Sequence, residues 1–250
     1  MVEVRYSNGL GNRLFQYCFG RILAEGLGYQ LAADPIPPFA GTYEPVQGQV
    51  FDSPVWLCPK VVRGQQVLAD RTPRRIVVEH YMQKYRYYRR QSARIREWLA
   101  LAPSPTPADP DGLVVHLRLG DYRYVGWVLA MGYYHFAIAR ERFSRLYIVT
   151  DEPNAPHLQA FARYRPSIIT GSEIACLKFI RSARRIVLSQ STFGWWGAFL
   201  SDAEKVYFPI PQTVTVWGRN SRVDLRVNEP RYVYVRNVRT LPKEPWPGGG

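Results

Sequence analysis

Apolar and polar positions fall into two periods along this chain. Residues 2–6, Val-Glu-Val-Arg-Tyr, alternate and predict a strand. Leu14, Cys18 and Ile22 recur every four residues, as do Phe15, Phe19 and Leu23. That spacing predicts a helix with a broad apolar face, ended by Gly26 and Gly28. Residues 31–34 predict a second strand. Residues 35–75 lack either period, are rich in Pro and Gly, and read as irregular connections with a few short elements. Residues 76–83 predict a strand running into a polar, aromatic loop, and residues 92–101 a solvated helix.

Pro103, Pro105, Pro107 and Pro110 mark a linker between halves of comparable size. Beyond it, apolar runs at 113–116, 145–149, 167–169, 185–189 and 206–209 predict strands. Helices are expected from Tyr133, over 157–164, over 172–182 and over 193–200. Strand and helix alternate, which implies parallel sheet covered by helices on both faces, an α/β fold. The boundaries that follow are residues 1–104 for a first domain, 105–225 for a second, and 226–250 for a Pro-rich, partly disordered tail carrying Trp246 and ending in Gly248, Gly249 and Gly250.

Charge narrows the partners. Of 250 residues, 33 are Lys or Arg and 20 are Asp or Glu, a formal net charge of +13, and 28 of the cations are Arg. Such a bias suits an anionic partner, such as nucleic acid, a phospholipid surface or a phosphorylated small molecule. It equally suits a surface that simply favours Arg. Arg86, Arg89 and Arg90 interleaved with Tyr85, Tyr87 and Tyr88 could form a single-strand nucleic-acid surface. They could equally form a sugar platform or the start of a solvated helix. Cys18, Cys58 and Cys176 are few, odd in number and without CxxC spacing, which points to a reducing compartment and away from disulfide or zinc chemistry. With no leader pattern and no apolar run of about 20 residues, a cytoplasmic protein is expected, with room for peripheral membrane contact.

Chemistry concentrates where strands end. His116 and Arg118 are two apart and leave one face of the strand before the Gly120-Asp121 turn. Their plainer reading is a salt-bridged Arg and a satisfied core His. Asp151 and Glu152 end the next strand, where carboxylates can hold ribose hydroxyls or base N–H groups. Ser189, Gln190, Ser191 and Thr192 end a third and open the helix at Phe193, a place suited to phosphate, although Ser191 also reads as an ordinary N-cap. In the first half, Gly9 and Gly11 form a G-x-G loop ahead of Asn12 and a helix, too short for a dinucleotide fingerprint. Asp109-Pro110-Asp111 has the form of a DxD metal motif but sits in the linker, so no metal site is assigned.

Three segments, in order, resemble glycosyltransferase family 11, the α-1,2-fucosyltransferases. Gly9-Leu10-Gly11-Asn12-Arg13-Leu14-Phe15-Gln16-Tyr17 is similar to GLGNQLFQY. His116-Leu117-Arg118-Leu119-Gly120-Asp121-Tyr122 is similar to HxRRGDY, with Leu119 in place of the second Arg. Residues 189–200 are similar to SNSSFSWWGAWL, with Gln190 for Asn and Gly194 for Ser. Tyr81-Met82-Gln83 and Tyr133-Tyr134 are weaker echoes. The resemblance implies a GT-B architecture of two Rossmann-like domains facing across a cleft. It implies an inverting, metal-independent transfer of L-fucose from GDP-fucose to O2 of a terminal β-galactoside. It makes Arg118, His116 and Asn12 the catalytic candidates. Gly9, Gly11, Asp151, Ser189, Ser191, Thr192 and Phe193 become donor-binding candidates. No residue stands out as the general base among Asp34, Glu79, His80 and Asp121. The alternatives are a glycosyltransferase of the same fold with another nucleotide sugar or linkage and, remotely, a basic nucleic-acid-binding protein.

Overall fold

A computed structural model describes residues 1–52, 54–57, 74–212 and 223–246. The chain forms two compact units, Met1–Leu101 with Ser221–Val227, and Ala102–Asn220 with Asn228–Gly250. Each is α/β, with a parallel sheet and helices in the Rossmann-like manner expected.

In the first unit, strands β1 (Val2–Val4), β2 (Leu31–Ala32), β3 (Pro54–Leu57) and β4 (Arg75–Val78) lie in the order β2-β1-β4-β3, all parallel. Helix α1 (Leu10–Leu27) follows β1 and buries Leu14, Phe15, Cys18 and Leu23, the periodic positions of the sequence. Gly28 ends it in the left-handed region, φ 69°. β3 falls within the stretch expected to be irregular, while Cys58 lies outside the described residues. Two 3₁₀ turns, Tyr85–Tyr87 and Arg89–Gln91, lead into α2 (Ser92–Trp98). The rings of Tyr87 and Tyr88 pack against Phe19 and Phe15 of α1, with centroids 5.2 and 5.4 Å apart. Those two aromatics therefore serve the core rather than a stacking surface.

In the second unit, β5 (Leu113–Leu117), β6 (Leu146–Thr150), β7 (Ser167–Ile169), β8 (Arg185–Val187), β9 (Lys205–Pro211) and β10 (Tyr232–Val238) form a parallel sheet in the order β10-β9-β8-β5-β6-β7. Helices α3 (Tyr122–Val125), α4 (Met131–Ile138), α5 (Glu173–Arg181) and α6 (Thr192–Phe199) connect them. Residues 157–164, expected as a helix, lie in a 3₁₀ stretch, Pro156–Tyr164. β5 and β6 are buried along their whole length, which explains their unbroken apolar runs. In α6, Trp195 stacks on Phe199 one turn later, with centroids 4.8 Å apart, and both are fully buried.

Two expectations need correction. The stretch expected as a partly disordered tail contains an element the sequence reading did not place, because Tyr232–Val238 pairs along β9 as the edge strand β10, its β-branched and aromatic residues fitting a ladder. Trp246 stacks on Tyr124, with centroids 4.5 Å apart, while Gly248, Gly249 and Gly250 lie outside the described residues. The boundary also moves, from 104/105 to 101/102, and residues up to 225 do not all belong to the second unit. Asp224 returns the chain to the first unit, its carbonyl accepting from Tyr85 N–H at 2.7 Å and its own N–H donating to Gln83 at 2.8 Å.

Candidate functional site

The strand order of the second unit places the candidate residues before any side chain is considered. From β5 the chain steps outward through β6 and β7, then returns to the other side of β5 for β8, β9 and β10. The sheet therefore has a switch point between β5 and β8, where open α/β sheets leave a crevice at the carboxyl ends of their strands. His116 and Arg118 end β5, and Ser189 follows β8. The hydroxyl of Ser189 and Nδ1 of His116 are 2.8 Å apart, joining two segments 73 residues apart in sequence.

His116 is buried, and burial, together with the neighbouring Arg118 guanidinium, lowers its pKa to about 3. It is therefore a neutral hydrogen-bonding group near pH 7, not a second cation for phosphate. The Phe193 ring lies 5.7 Å from the imidazole, and α6 begins directly over it. A Cβ on Gly194 would fall 2.4 Å from Nδ1. Glycine at 194 is thus what lets this helix start sit on the imidazole. Because the unfolded chain protonates His116 near 6.5 and the fold resists it down to about 3, stability falls as pH drops through that window. The expected contribution is a slope of about 1.4 kcal/mol per pH unit, read as a falling urea midpoint that flattens in His116→Gln.

Arg118 is held by two carboxylates. One terminal nitrogen is 2.5 Å from Asp121 Oδ1 and the other is 2.9 Å from Asp151 Oδ2. Asp151 is itself fixed, since its Oδ1 accepts from Leu119 N–H at 2.9 Å. A Cβ on Gly120 would come within 2.4 Å of Asp151 Oδ2, so the turn closes over the carboxylate only with glycine there. Asp151, expected to hold ribose hydroxyls or base N–H groups, is paired here with Arg118 and Leu119 N–H. The plainer salt-bridge reading of Arg118 is what the structure shows, and of its two partners Asp121, with its side chain 56% exposed, is the more accessible.

Ser191 precedes α6 in extended conformation and is buried, yet its side chain makes no cap hydrogen bond. Ser191 N–H donates to the Ser189 carbonyl at 2.9 Å, and Ser191, Thr192 and Phe193 sit at the positive end of the helix, where an anion would be favoured. Gln190 is wholly buried. Its amide nitrogen donates to the Trp127 carbonyl, while its Oε1 has no hydrogen-bond partner among the described residues.

The first unit repeats this logic. Its chain goes from β1 to β2 on one side and to β3 and β4 on the other, so its switch point lies between β1 and β4. Gly9 follows β1 as the N-cap of α1, so the expected glycine loop is instead the first turn of that helix, with Gly11 and Asn12 inside it, and Tyr81-Met82-Gln83 follows β4. Asn12 Oδ1 accepts from Gln83 Nε2 at 2.8 Å, and Asn8 bonds the Tyr81 hydroxyl. Gly9 begins α1 without a side-chain cap, and its carbonyl accepts from Asn12 N–H at 3.0 Å. Gly11 is buried in the first turn of that helix.

Gln16 is the functional neighbour that sequence reasoning passed over. Fully buried, it donates to the carbonyls of Glu79 at 2.7 Å and Arg5 at 3.0 Å, and accepts from Ser7 N–H at 3.1 Å. It ties the ends of β1 and β4 to the first turns of α1. A Gln inside an otherwise apolar helix face was the available signal. Gln16→Leu should cost about 1–3 kcal/mol of stability, measured by urea unfolding, because Ser7 N–H and two carbonyls lose their partner.

The remaining candidates sort by their contacts. Asp109 and Asp111 face Arg145 and Arg185, at 3.9 and 3.5 Å, as linker ion pairs. Asp34, Glu79 and His80 are exposed in the first unit, and Asp121 is engaged by Arg118. Among the described residues, no three His, Cys, Asp or Glu side chains gather as metal ligands, and no helix is long and apolar enough to cross a membrane. Compared with known proteins, the chain matches no family model and no curated sequence.

Proposed function

We propose that this chain is an inverting glycosyltransferase that moves L-fucose from GDP-fucose to O2 of a terminal β-galactoside. The observation that carries the reading is the meeting of two resemblance segments, 116–122 and 189–200, at the switch point of one parallel sheet through His116 and Ser189. The two segments of the first unit likewise meet through Asn12 and Gln83 at its own switch point. The proposal includes a GT-B arrangement in which these two ends serve one reaction.

Departure of GDP builds negative charge on the β-phosphate as the fucosyl carbon becomes oxocarbenium-like. Fixed positive charge lowers that barrier without moving during the reaction. Arg118 supplies a planar fork for phosphate oxygens, and the start of α6 supplies N–H groups. Asp151 keeps the guanidinium in plane while Asp121 yields its place to phosphate. Neutral His116, with Nδ1 on Ser189, offers Nε2 to the donor. Asn12, steadied by Gln83, positions the acceptor or the sugar.

Calorimetric titration with GDP, GDP-fucose, GDP-mannose and UDP-galactose tests the donor. GDP and GDP-fucose should bind with comparable affinity, and UDP-galactose should not. Binding of GDP-mannose in preference to GDP-fucose would move the assignment to a sibling transferase. Addition of EDTA to the transfer assay should leave the rate unchanged, and an EDTA-sensitive rate restored by magnesium or manganese would refute the metal-independent form.

A further inference from the structure

A concave surface lies in the second unit, between α4 and the β9–β10 edge of the sheet. Its volume is about 860 Å³, within the range of small-ligand sites. None of the residues at the β5–β8 switch point lines it. Phe136, Tyr207 and Val235 contribute its apolar part, and Arg140, Arg236 and Arg239 its charge.

The charge is one-sided. Lys205 also lines the groove, and no Asp or Glu does. The nearest acid, Glu141, is buried and occupied, with Oε1 2.9 Å from Lys205 Nζ and 2.6 Å from the Tyr207 hydroxyl. Arg140 lies over the Phe136 ring at 3.4 Å and donates to the Phe136 carbonyl at 3.0 Å, so its guanidinium is held in place. Arg236 and Arg239 are exposed and have no carboxylate partner among the described residues. Uncompensated guanidinium groups beside aromatic rings match an anion with an apolar body. The edge itself is a poor template for an added strand. Asn237 takes φ 58°, and the register shifts between Arg236 and Val238, which breaks the ladder. The ligand is therefore a small molecule lying on side chains rather than a peptide pairing with backbone.

We infer that this groove is a second ligand site, specific for phosphate monoesters with an aromatic or aliphatic body, separate from the proposed donor site. The phosphate would meet Arg236 and Arg239, and the body would lie against Phe136, Tyr207 and Val235.

Calorimetry of the full chain with phenyl phosphate, in the presence of GDP, tests this. One saturable site is expected, with affinity reduced about tenfold or more in Arg236→Ala/Arg239→Ala and with GDP affinity unchanged in that variant. Inorganic phosphate and phenyl β-glucoside should each bind more weakly than phenyl phosphate, since each lacks half of the recognised chemistry. The inference is overturned by equal affinity in wild type and variant, by no saturable binding below about 10 mM, by displacement of phenyl phosphate by GDP, or by inorganic phosphate binding as tightly. It is also overturned if a single-stranded oligonucleotide, rather than phenyl phosphate, is the ligand whose affinity the double substitution lowers. Failure of the donor reading would not mimic any of these, because GDP binding is recorded separately.

Discussion

Arg118→Ala should lower kcat for fucose transfer by about 10²–10³, the loss typical of removing one preorganised donor from a developing oxyanion. The magnitude rests on Leu119. Where the resembling motif has a second Arg, this chain has a buried leucine, which leaves Arg118 as the one guanidinium for the proposed role. Arg118→Lys should recover little, because an ammonium cannot place two parallel N–H groups on Asp151 and on phosphate together. KM for the donor should rise less than kcat falls, since the charge that matters develops at the transition state. A purely structural Arg118 makes a different prediction. Its loss would leave Asp151 without its cation, lower thermal stability, and reduce activity only in proportion to the unfolded fraction. Steady-state kinetics alongside a thermal melt separates the two, and activity within about tenfold of wild type in a folded variant contradicts the catalytic assignment.

Gly194→Ser should destabilise the second unit by about 1–3 kcal/mol, measured as a shift in the urea midpoint. A Cβ at 194 would sit 2.4 Å from His116 Nδ1 and 3.0 Å from two ring carbons. The imidazole cannot retreat easily, being buried, bonded to Ser189 and flanked by Phe193. The resembling motif has Ser at this position, so its return here conflicts with local packing rather than restoring a contact. The cost should carry into function, because moving the imidazole also moves the start of α6. Gly194→Ala, with the same Cβ and no hydroxyl, should behave alike, whereas an effect confined to Ser would point to a hydrogen-bonding cause instead.

What was legible in the sequence follows from how local each signal is. The apolar runs of β5 and β6, the four-residue spacing in α1 and the apolar α6 depend on residues within a turn or two, and they appear in the structure near where the pattern places them. β10 is masked in the sequence by the Pro-rich stretch that follows it, although Tyr-Val-Tyr-Val within it has strand character. β3 has four residues, too few for a period to show. Among site residues, the grouping of His116, Arg118 and Ser189 was visible once strand ends were compared. The roles of Asp151 and Gln16 were not. Each acts on backbone or charge brought from elsewhere in the chain, Leu119 and Arg118 for one and Glu79 and Ser7 for the other. No spacing rule encodes those approaches. The identity of the acid that pairs with Arg118 was hidden for the same reason, because Asp151 follows a neighbouring strand.

The most direct test is a transfer assay with GDP-fucose and a panel of β-galactosides, with the product linkage read by NMR. Fucose should appear in α-linkage on O2 of the terminal galactose, at a rate that collapses in Arg118→Ala and is indifferent to EDTA. Absence of transfer from GDP-fucose to every galactoside, with folded protein and no GDP binding by calorimetry, would contradict the account.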